Sequence, residues 1–118
     1  MDLHDAPFPS ALRCAVRTAA EWKQLWTLVD PRSTPPPLPG QGMVVLAAAG
    51  MIGSEGHWID IDSVWISGDT ATVSVREEMI GDACPAGQVI IFPAAAVRVP
   101  AAAVVRFRET LLAGEPCF

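Results

Sequence analysis

Few side chains in this sequence could act together as a nucleophile and a base. Catalysis by serine or cysteine needs a base within hydrogen-bonding distance and usually a third group that orients the base. The chain has two histidines, His4 and His57, and it has neither a Gly-x-Ser-x-Gly motif nor a Cys-x-x-Cys pair. We therefore expect a non-enzymatic protein. A thiol enzyme built on Cys84 and His57 remains a hypothesis that requires these side chains to be in contact.

Asp60 and Asp62 are the residues most suggestive of a metal site or an acid–base pair. They lie two positions apart in an alternating segment, so a strand would put both carboxylates on one face. The segment lacks the third ligand, the glycine and the glutamate of a calcium-binding loop. The polar face of a half-buried strand is the simpler interpretation, and we expect neither a metal ion nor a cofactor.

A glycine-rich segment precedes this strand, and it is the best candidate for a binding site. Its glycine spacing is not Gly-x-Gly-x-x-Gly and a strand follows it, so a phosphate-binding loop is disfavoured. Trp58 shares its strand face with Asp60 and should point outward, and exposed aromatic residues dominate protein interfaces. The alternative is that Trp58 packs under a proline-rich connector. The predicted partner-binding residues are Gly53, Ser54, Glu55, Gly56, His57 and Trp58.

A different class of function uses the same strand. Trp58 and Asp60 could form a shallow pocket for a small ligand or a carbohydrate. A ligand of that kind would raise the melting temperature of the protein.

Three cysteines, Cys14, Cys84 and Cys117, permit at most one disulfide within the chain and leave one thiol. A bond between Cys84 and Cys117 could tie down the C-terminal segment, but pairing depends on distances between Cα atoms. The cysteine count leaves the redox compartment open.

Composition limits the class of partner. The 118 residues fit one domain, and the net charge is -5 with eight scattered Lys and Arg residues, so nucleic acid and anionic membrane surfaces are disfavoured. No apolar run approaches the ~20 residues of a membrane helix. The N-terminal segment is acidic and contains prolines, unlike a signal peptide, so we expect either a cytosolic chain or a mature chain without its leader.

One helix is predicted near the N-terminus. Thr18 and Glu21 have the spacing of a capping box, and Trp22, Leu25 and Trp26 then recur at helical spacing. The prolines of PRSTPPPLPG end the helix and predict a connector over residues 31–42. Residues 1–14 are expected to form a flexible tail.

The rest of the chain has the pattern of strands. MVVLAAA is followed by HWIDIDSVWI and TATVSVRE, which should form an antiparallel hairpin with a β-bulge near Ser63. QVIIFP, AVRVP and AVVRFRE are three further candidates. The order predicts a mainly β (α+β) fold, in which one N-terminal helix packs on a small antiparallel β-sandwich or open barrel of about six strands.

The ordered landmarks resemble the C-terminal domain family of the protease-complex subunit PrcB, from about residue 15 to residue 109. Four features carry the resemblance: the helix EWKQLW, the proline-rich connector entering GMVVLAAAG, the glycine-rich turn leading into HWIDI, and QVIIFPAAAVRVP ahead of AVVRF. The order and spacing of the four features together carry the resemblance. The family often has Thr-Gly-Gly-Tyr in the turn, where this chain has Ser54 to Trp58.

The resemblance implies a fold and a class of partner. It implies association with a secreted or envelope protease, as an assembly factor, a chaperone-like subunit or a regulator, and it implies no catalytic activity. A secreted or envelope location is likewise an implication of the resemblance alone.

Overall fold

A computed structural model of the chain describes residues 8–29, 32, 34–35, 42–53, 55–81, 84 and 87–117. These residues form one helix and six strands: β1 (Leu12–Val16), α1 (Ala19–Trp26), β2 (Met43–Ala48), β3 (Trp58–Ser67), β4 (Thr70–Met79), β5 (Ala94–Val99) and β6 (Val104–Ala113). The predicted mainly β fold is confirmed. Within these ranges no helix is long and apolar enough to cross a membrane.

Helix α1 starts where the capping box predicts. The Thr18 hydroxyl accepts a hydrogen bond from the backbone N–H of Glu21 at 3.1 Å, which satisfies one of the free donors at a helix N-terminus. Trp22 and Leu25 are buried, so the apolar stripe faces the core as expected. Most of the predicted connector, residues 31–42, lies outside the described residues.

The strands form two sheets, and the first is covered on both faces. Sheet 1 has the antiparallel order β1-β2-β5. Val44 and Leu46 of its central strand share a buried cluster with α1, whereas Val45 shares another with sheet 2. All six residues of β2 are therefore buried, which explains why this segment is apolar throughout instead of alternating.

Sheet 2 has the order β3-β4-β6. Its first two strands form the predicted antiparallel hairpin, and the register shifts between Ile61 and Ser63, where the bulge is expected. Ala71, Val73 and Val75 are fully buried against sheet 1. The fold is thus a small sandwich with α1 on its outer side, not a closed barrel.

One strand pair corrects the prediction that all pairs are antiparallel. Strands β4 and β6 pair in parallel over their full length, from Thr70↔Val104 to Met79↔Ala113. A parallel pair needs a long crossover, usually a helix. Here the crossover includes β5, which belongs to sheet 1, so the chain changes sheets twice, and the described residues of the crossover form no helix.

Two segments differ from the sequence prediction. Phe8 is buried and β1 begins at Leu12, so the predicted flexible tail is wrong for residues 8–14, and residues 1–7 lie outside the described ranges. Residues 88–93 were expected to form a strand, but they make a single bridge, Ile52↔Ile91. Val89 and Ile90 are exposed, so the first half of this segment has no buried face to support a longer pairing.

Candidate functional site

The glycine-rich turn, residues 50–58, connects β2 to β3 and is anchored by backbone hydrogen bonds. Ile52 and Ile91 exchange two such bonds, of 2.9 and 2.8 Å, and the N–H of Glu55 donates to the carbonyl oxygen of Gly87 at 3.1 Å. These contacts tie the turn to the segment before β5. The turn therefore presents its side chains from a supported backbone.

Two glycines of the turn are required by its geometry. Gly50 has φ +84°, and a Cβ there would lie 2.8 Å from the backbone nitrogen of Ala11. Gly56 has φ +85° and faces the side chain of Ile80. Both positions combine a left-handed backbone with a close approach, which only glycine accepts without strain.

The predicted partner-binding residues differ in their exposure. Gly53, Glu55 and Gly56 are exposed, and Trp58 points outward with 43% of its surface exposed. Ser54 lies outside the described residues. His57 is different, because only 9% of its side chain is accessible.

His57 belongs to a charged cluster at the edge of the sandwich. Its Nε2 lies 3.3 Å from Oε2 of Glu77, but the two atoms are not aligned for a hydrogen bond, and Nε2 has no hydrogen-bond partner among the described residues. Arg13 joins the cluster from β1. Its Nη2 lies 3.5 Å from Oε1 of Glu77 and 2.8 Å from Oε1 of Glu109.

Arg13 thereby links the two sheets. Its Nη1 also donates to the carbonyl oxygen of Ala48 at 2.8 Å, so one guanidinium connects β1 and β2 with carboxylates of β4 and β6. The side chain is partly exposed, which favours a structural bridge over a buried catalytic charge. Sequence reasoning missed this cluster, because its members come from distant parts of the chain.

Exposed apolar side chains surround the turn. Met51 and Ile90 are 61% and 66% exposed, and Val89 is also exposed. Met51 and Ile90 are neighbours of the bridged pair Ile52 and Ile91, so the alternation of side chains places both on the same side of the bridge. Large exposed apolar groups at one place on a surface mark interaction sites.

The face of sheet 2 that points away from sheet 1, here called the outer face, carries further polar and aromatic groups. The bulge puts Trp65 outward, where the guanidinium of Arg108 lies 5.7 Å from the centre of its ring. Asp60 is exposed and pairs in register with Arg76. The position of this bulge agrees with the sequence prediction.

Two of the three cysteines form a disulfide, and the third is a free thiol. Cys84 and Cys117 are disulfide-bonded, with their Cα atoms 4.9 Å apart. The bond joins the segment after β4 to the C-terminal segment after β6. Cys84 therefore has no free thiol in this structure, which argues against the thiol enzyme based on Cys84 and His57.

Cys14 is free and partly buried in β1. Burial, and secondarily the negative charge of Glu21, raise the pKa of its thiol from 9.0 to about 11. The reactive thiolate is correspondingly scarce at neutral pH. At pH 8 we expect iodoacetamide to alkylate Cys14 about a hundredfold more slowly in the folded protein than in urea.

Alkylation followed by mass spectrometry from pH 7 to pH 12 tests this expectation. The rate should keep rising until about pH 11, because the thiolate fraction rises with pH up to the pKa. A rate that levels off near pH 9 would mean that burial does not perturb the thiol. Glu21→Gln should speed the reaction modestly.

Neither of two clefts among the described residues is lined by Trp58 or Asp60, the residues of the proposed small-ligand pocket. A cleft of ≈ 510 Å³ lies beside Gly42 and Pro100, and an apolar one of ≈ 150 Å³ lies beside Phe8 and Leu28. Among the described residues, no three His, Cys, Asp or Glu side chains come together to hold a metal ion. The candidate site is thus an exposed surface around an anchored turn.

Fold and surface together define a small two-sheet β domain with an exposed apolar and aromatic turn. The family described as PrcB C-terminal matches residues 43–100, about half of the chain. Residues 43–100 thus resemble this family, and the resemblance drawn from the sequence is confirmed over that segment. The matched segment includes β2 to β5 and the glycine-rich turn, whereas α1 and β6 lie outside it. No curated protein and no solved structure matches the chain.

Proposed function

We propose that this chain is a non-enzymatic protein-binding module and that it serves a protease complex in an assembly, chaperone-like or regulatory role. The family name supports the connection with a protease complex. The observation that carries the binding function is the exposure of Trp58 at the end of a turn held by backbone hydrogen bonds.

A supported turn suits protein binding for an energetic reason. Binding costs free energy when loops and side chains lose freedom, and a preorganised surface lowers that cost. Trp58 has few rotatable bonds and a large apolar ring, and Met51 and Ile90 add exposed apolar surface. This combination is typical of a hot spot with a surrounding contact region.

The disulfide between Cys84 and Cys117 supports a location for this function. Disulfides persist in secreted and envelope proteins and are rare in the cytosol. A secreted or envelope protease is a partner that such a domain would meet there.

Site-specific photo-crosslinking tests the proposal with any partner, because the covalent adduct itself identifies the bound protein. Benzoylphenylalanine at position 51, in the native cell, should give such an adduct with a partner protein. Trp58→Ala in the same chain should reduce the adduct by at least about tenfold, because truncating a hot-spot tryptophan typically costs about 2 kcal/mol or more.

Position 66 provides the matched control. Ile66 is exposed like Met51 but lies near the end of β3 opposite to Trp58, so crosslinker there should not give the same adduct. Equal adducts at both positions, or an adduct unaffected by Trp58→Ala, would remove the turn from the interface. Circular dichroism should show Trp58→Ala folded, since surface substitutions usually change stability by no more than about 0.5 kcal/mol.

A further inference from the structure

Strand β6 gives the sandwich a long open edge. It has ten residues in unbroken register with β4 and no neighbour on its other side among the described residues. The remaining edge strands are shorter or irregular, because β1 has five residues and β5 has six, and β3 contains the bulge. Short strands and bulges protect edges against pairing, and β6 has neither.

The hydrogen bonds of β6 show which backbone groups face this edge. The N–H of Val104 donates to the oxygen of Asp69 at 3.0 Å, and the N–H of Gly114 donates to the oxygen of Met79 at 2.8 Å. In a parallel ladder of constant register, the even-numbered residues between them bond to β4 as well. The odd-numbered residues therefore direct their N–H and C=O groups to the open edge: Val105, Phe107, Glu109, Leu111 and Ala113.

Side chains along β6 define the charge that a neighbouring strand would meet. On the outer face, Arg106 and Arg108 are exposed, and Arg108 lies over Trp65. Two adjacent positive charges stand out on a chain of net charge -5. Acidic side chains placed opposite them would be favoured, since cross-strand pairs of opposite charge stabilise a sheet.

Apolar side chains of a neighbouring strand would pack favourably beside the inner face of β6. Phe107 is partly buried against the core, and Leu111 is 63% exposed. Glu109 lies between them, but its carboxylate already binds Arg13 through Nε at 2.9 Å. An incoming strand would therefore meet apolar surface and one neutralised charge.

We propose that the open edge of β6 receives an extended segment of a partner protein in which acidic and apolar residues alternate. The backbone hydrogen bonds would supply affinity and the alternating side chains selectivity. This inference rests on the proposed protein-binding function and adds a surface separate from the Trp58 turn.

Two central registers for a second copy of the chain at this edge are disfavoured. An antiparallel pair of β6 strands centred on Glu109 would bring two glutamates opposite each other, and a pair centred on Phe107 would set Arg106 against Arg108. Like charges in directly opposed positions destabilise a sheet.

A short blocked peptide of alternating Glu and Val, with its Lys–Val counterpart as control, tests the proposal by NMR and amide hydrogen exchange. The Glu–Val peptide should shift and protect the odd-numbered amides of β6, which the free protein leaves open. The double variant R106E/R108E should bind this peptide about tenfold more weakly, and it should prefer the Lys–Val peptide. Arg98→Glu, at an exposed position of β5, should change neither preference.

A pair of proline variants tests which backbone N–H groups of β6 face the open edge and which bond to β4. Leu111→Pro removes an N–H that faces the open edge, so the domain should fold but lose peptide binding. Leu112→Pro removes an N–H that bonds to β4, so it should lower the melting temperature clearly more than Leu111→Pro does.

Several outcomes would overturn the proposal. These are no change at the odd-numbered amides, equal binding of both peptides, or a β6-mediated dimer of the wild type. If these occur while Trp58→Ala still abolishes crosslinking at position 51, the β6 site fails and the proposed function stands. If β6 captures the acidic peptide while crosslinking at the turn is absent, the turn fails instead.

Discussion

Replacing Trp22 by alanine should lower the free energy of unfolding by about 3–5 kcal/mol. The side chain is 2% exposed and lies in the cluster that packs α1 onto sheet 1, with Phe8, Val44 and Leu46. Its ring centre is 5.8 Å from that of Trp26. Alanine would leave a cavity there, and an eight-residue helix has little stability of its own to compensate.

Urea unfolding followed by circular dichroism measures this effect. Lys23→Ala is the matched control, because Lys23 is the next residue of the same helix and is exposed, and its loss should change stability by no more than about 0.5 kcal/mol. The loss of unfolding free energy for Trp22→Phe should lie between those for Trp22→Ala and Lys23→Ala. A loss below about 1 kcal/mol for Trp22→Ala would mean that α1 does not pack on sheet 1 as described.

Removing the disulfide should have the second largest effect on stability. The double variant Cys84→Ser/Cys117→Ser should lower the free energy of unfolding by roughly 3–4 kcal/mol, the loop-closure value for the separation of 33 residues. The bond closes a loop that contains β5 and β6. Without it, the unfolded chain gains conformational freedom, while the folded sheets keep their hydrogen bonds.

The control for this experiment is the third cysteine. Cys14→Ser keeps the disulfide, so the addition of a reductant should destabilise it as much as it destabilises the wild type. The same reductant should leave the double variant unchanged. Equal stability of oxidised and reduced wild type would contradict a stabilising role of the bond.

Local patterns were enough to predict part of the fold. The capping box at Thr18 and the period of Trp22 and Leu25 define a helix within a few residues of chain. The hairpin of β3 and β4 is equally local, since alternation and the turn at Gly68 determine its pairing. Even the bulge is visible, because the apolar period of two breaks between Ile61 and Val64.

Pairing between distant segments was not predictable in this way. Strand β1 contains Arg13 and Cys14 and has no clear alternation, and its pairing with β2 supports it. The parallel pairing of β4 with β6 depends on the crossover through sheet 1. Alternation within β6 is the same whether its neighbour is parallel or antiparallel, so the sequence pattern does not distinguish them.

In the candidate site, too, some features follow from the local sequence and others depend on distant segments. Strand parity places Trp58 on the outer face with Asp60, and the structure agrees. Only 9% of the His57 side chain is accessible, and the carboxylate of Glu77, twenty positions later in the sequence, lies 3.3 Å from it. The alternation of side chains along β3 cannot predict a contact between His57 and a residue of another strand.

The charges on β6 also required the structure. Arg106 and Arg108 look scattered in the sequence, and only the pairing of β6 with β4 puts Arg108 on the same face as Trp65. The acidic net charge conceals this small positive region.

The most direct test of the binding function compares partner retention by immobilised wild type, Trp58→Ala and Ile66→Ala from an extract of the native cell. Quantitative mass spectrometry should find a protein retained equally by wild type and Ile66→Ala, and depleted at least about tenfold with Trp58→Ala. Identical retention by all three folded proteins would contradict a binding site at the Trp58 turn.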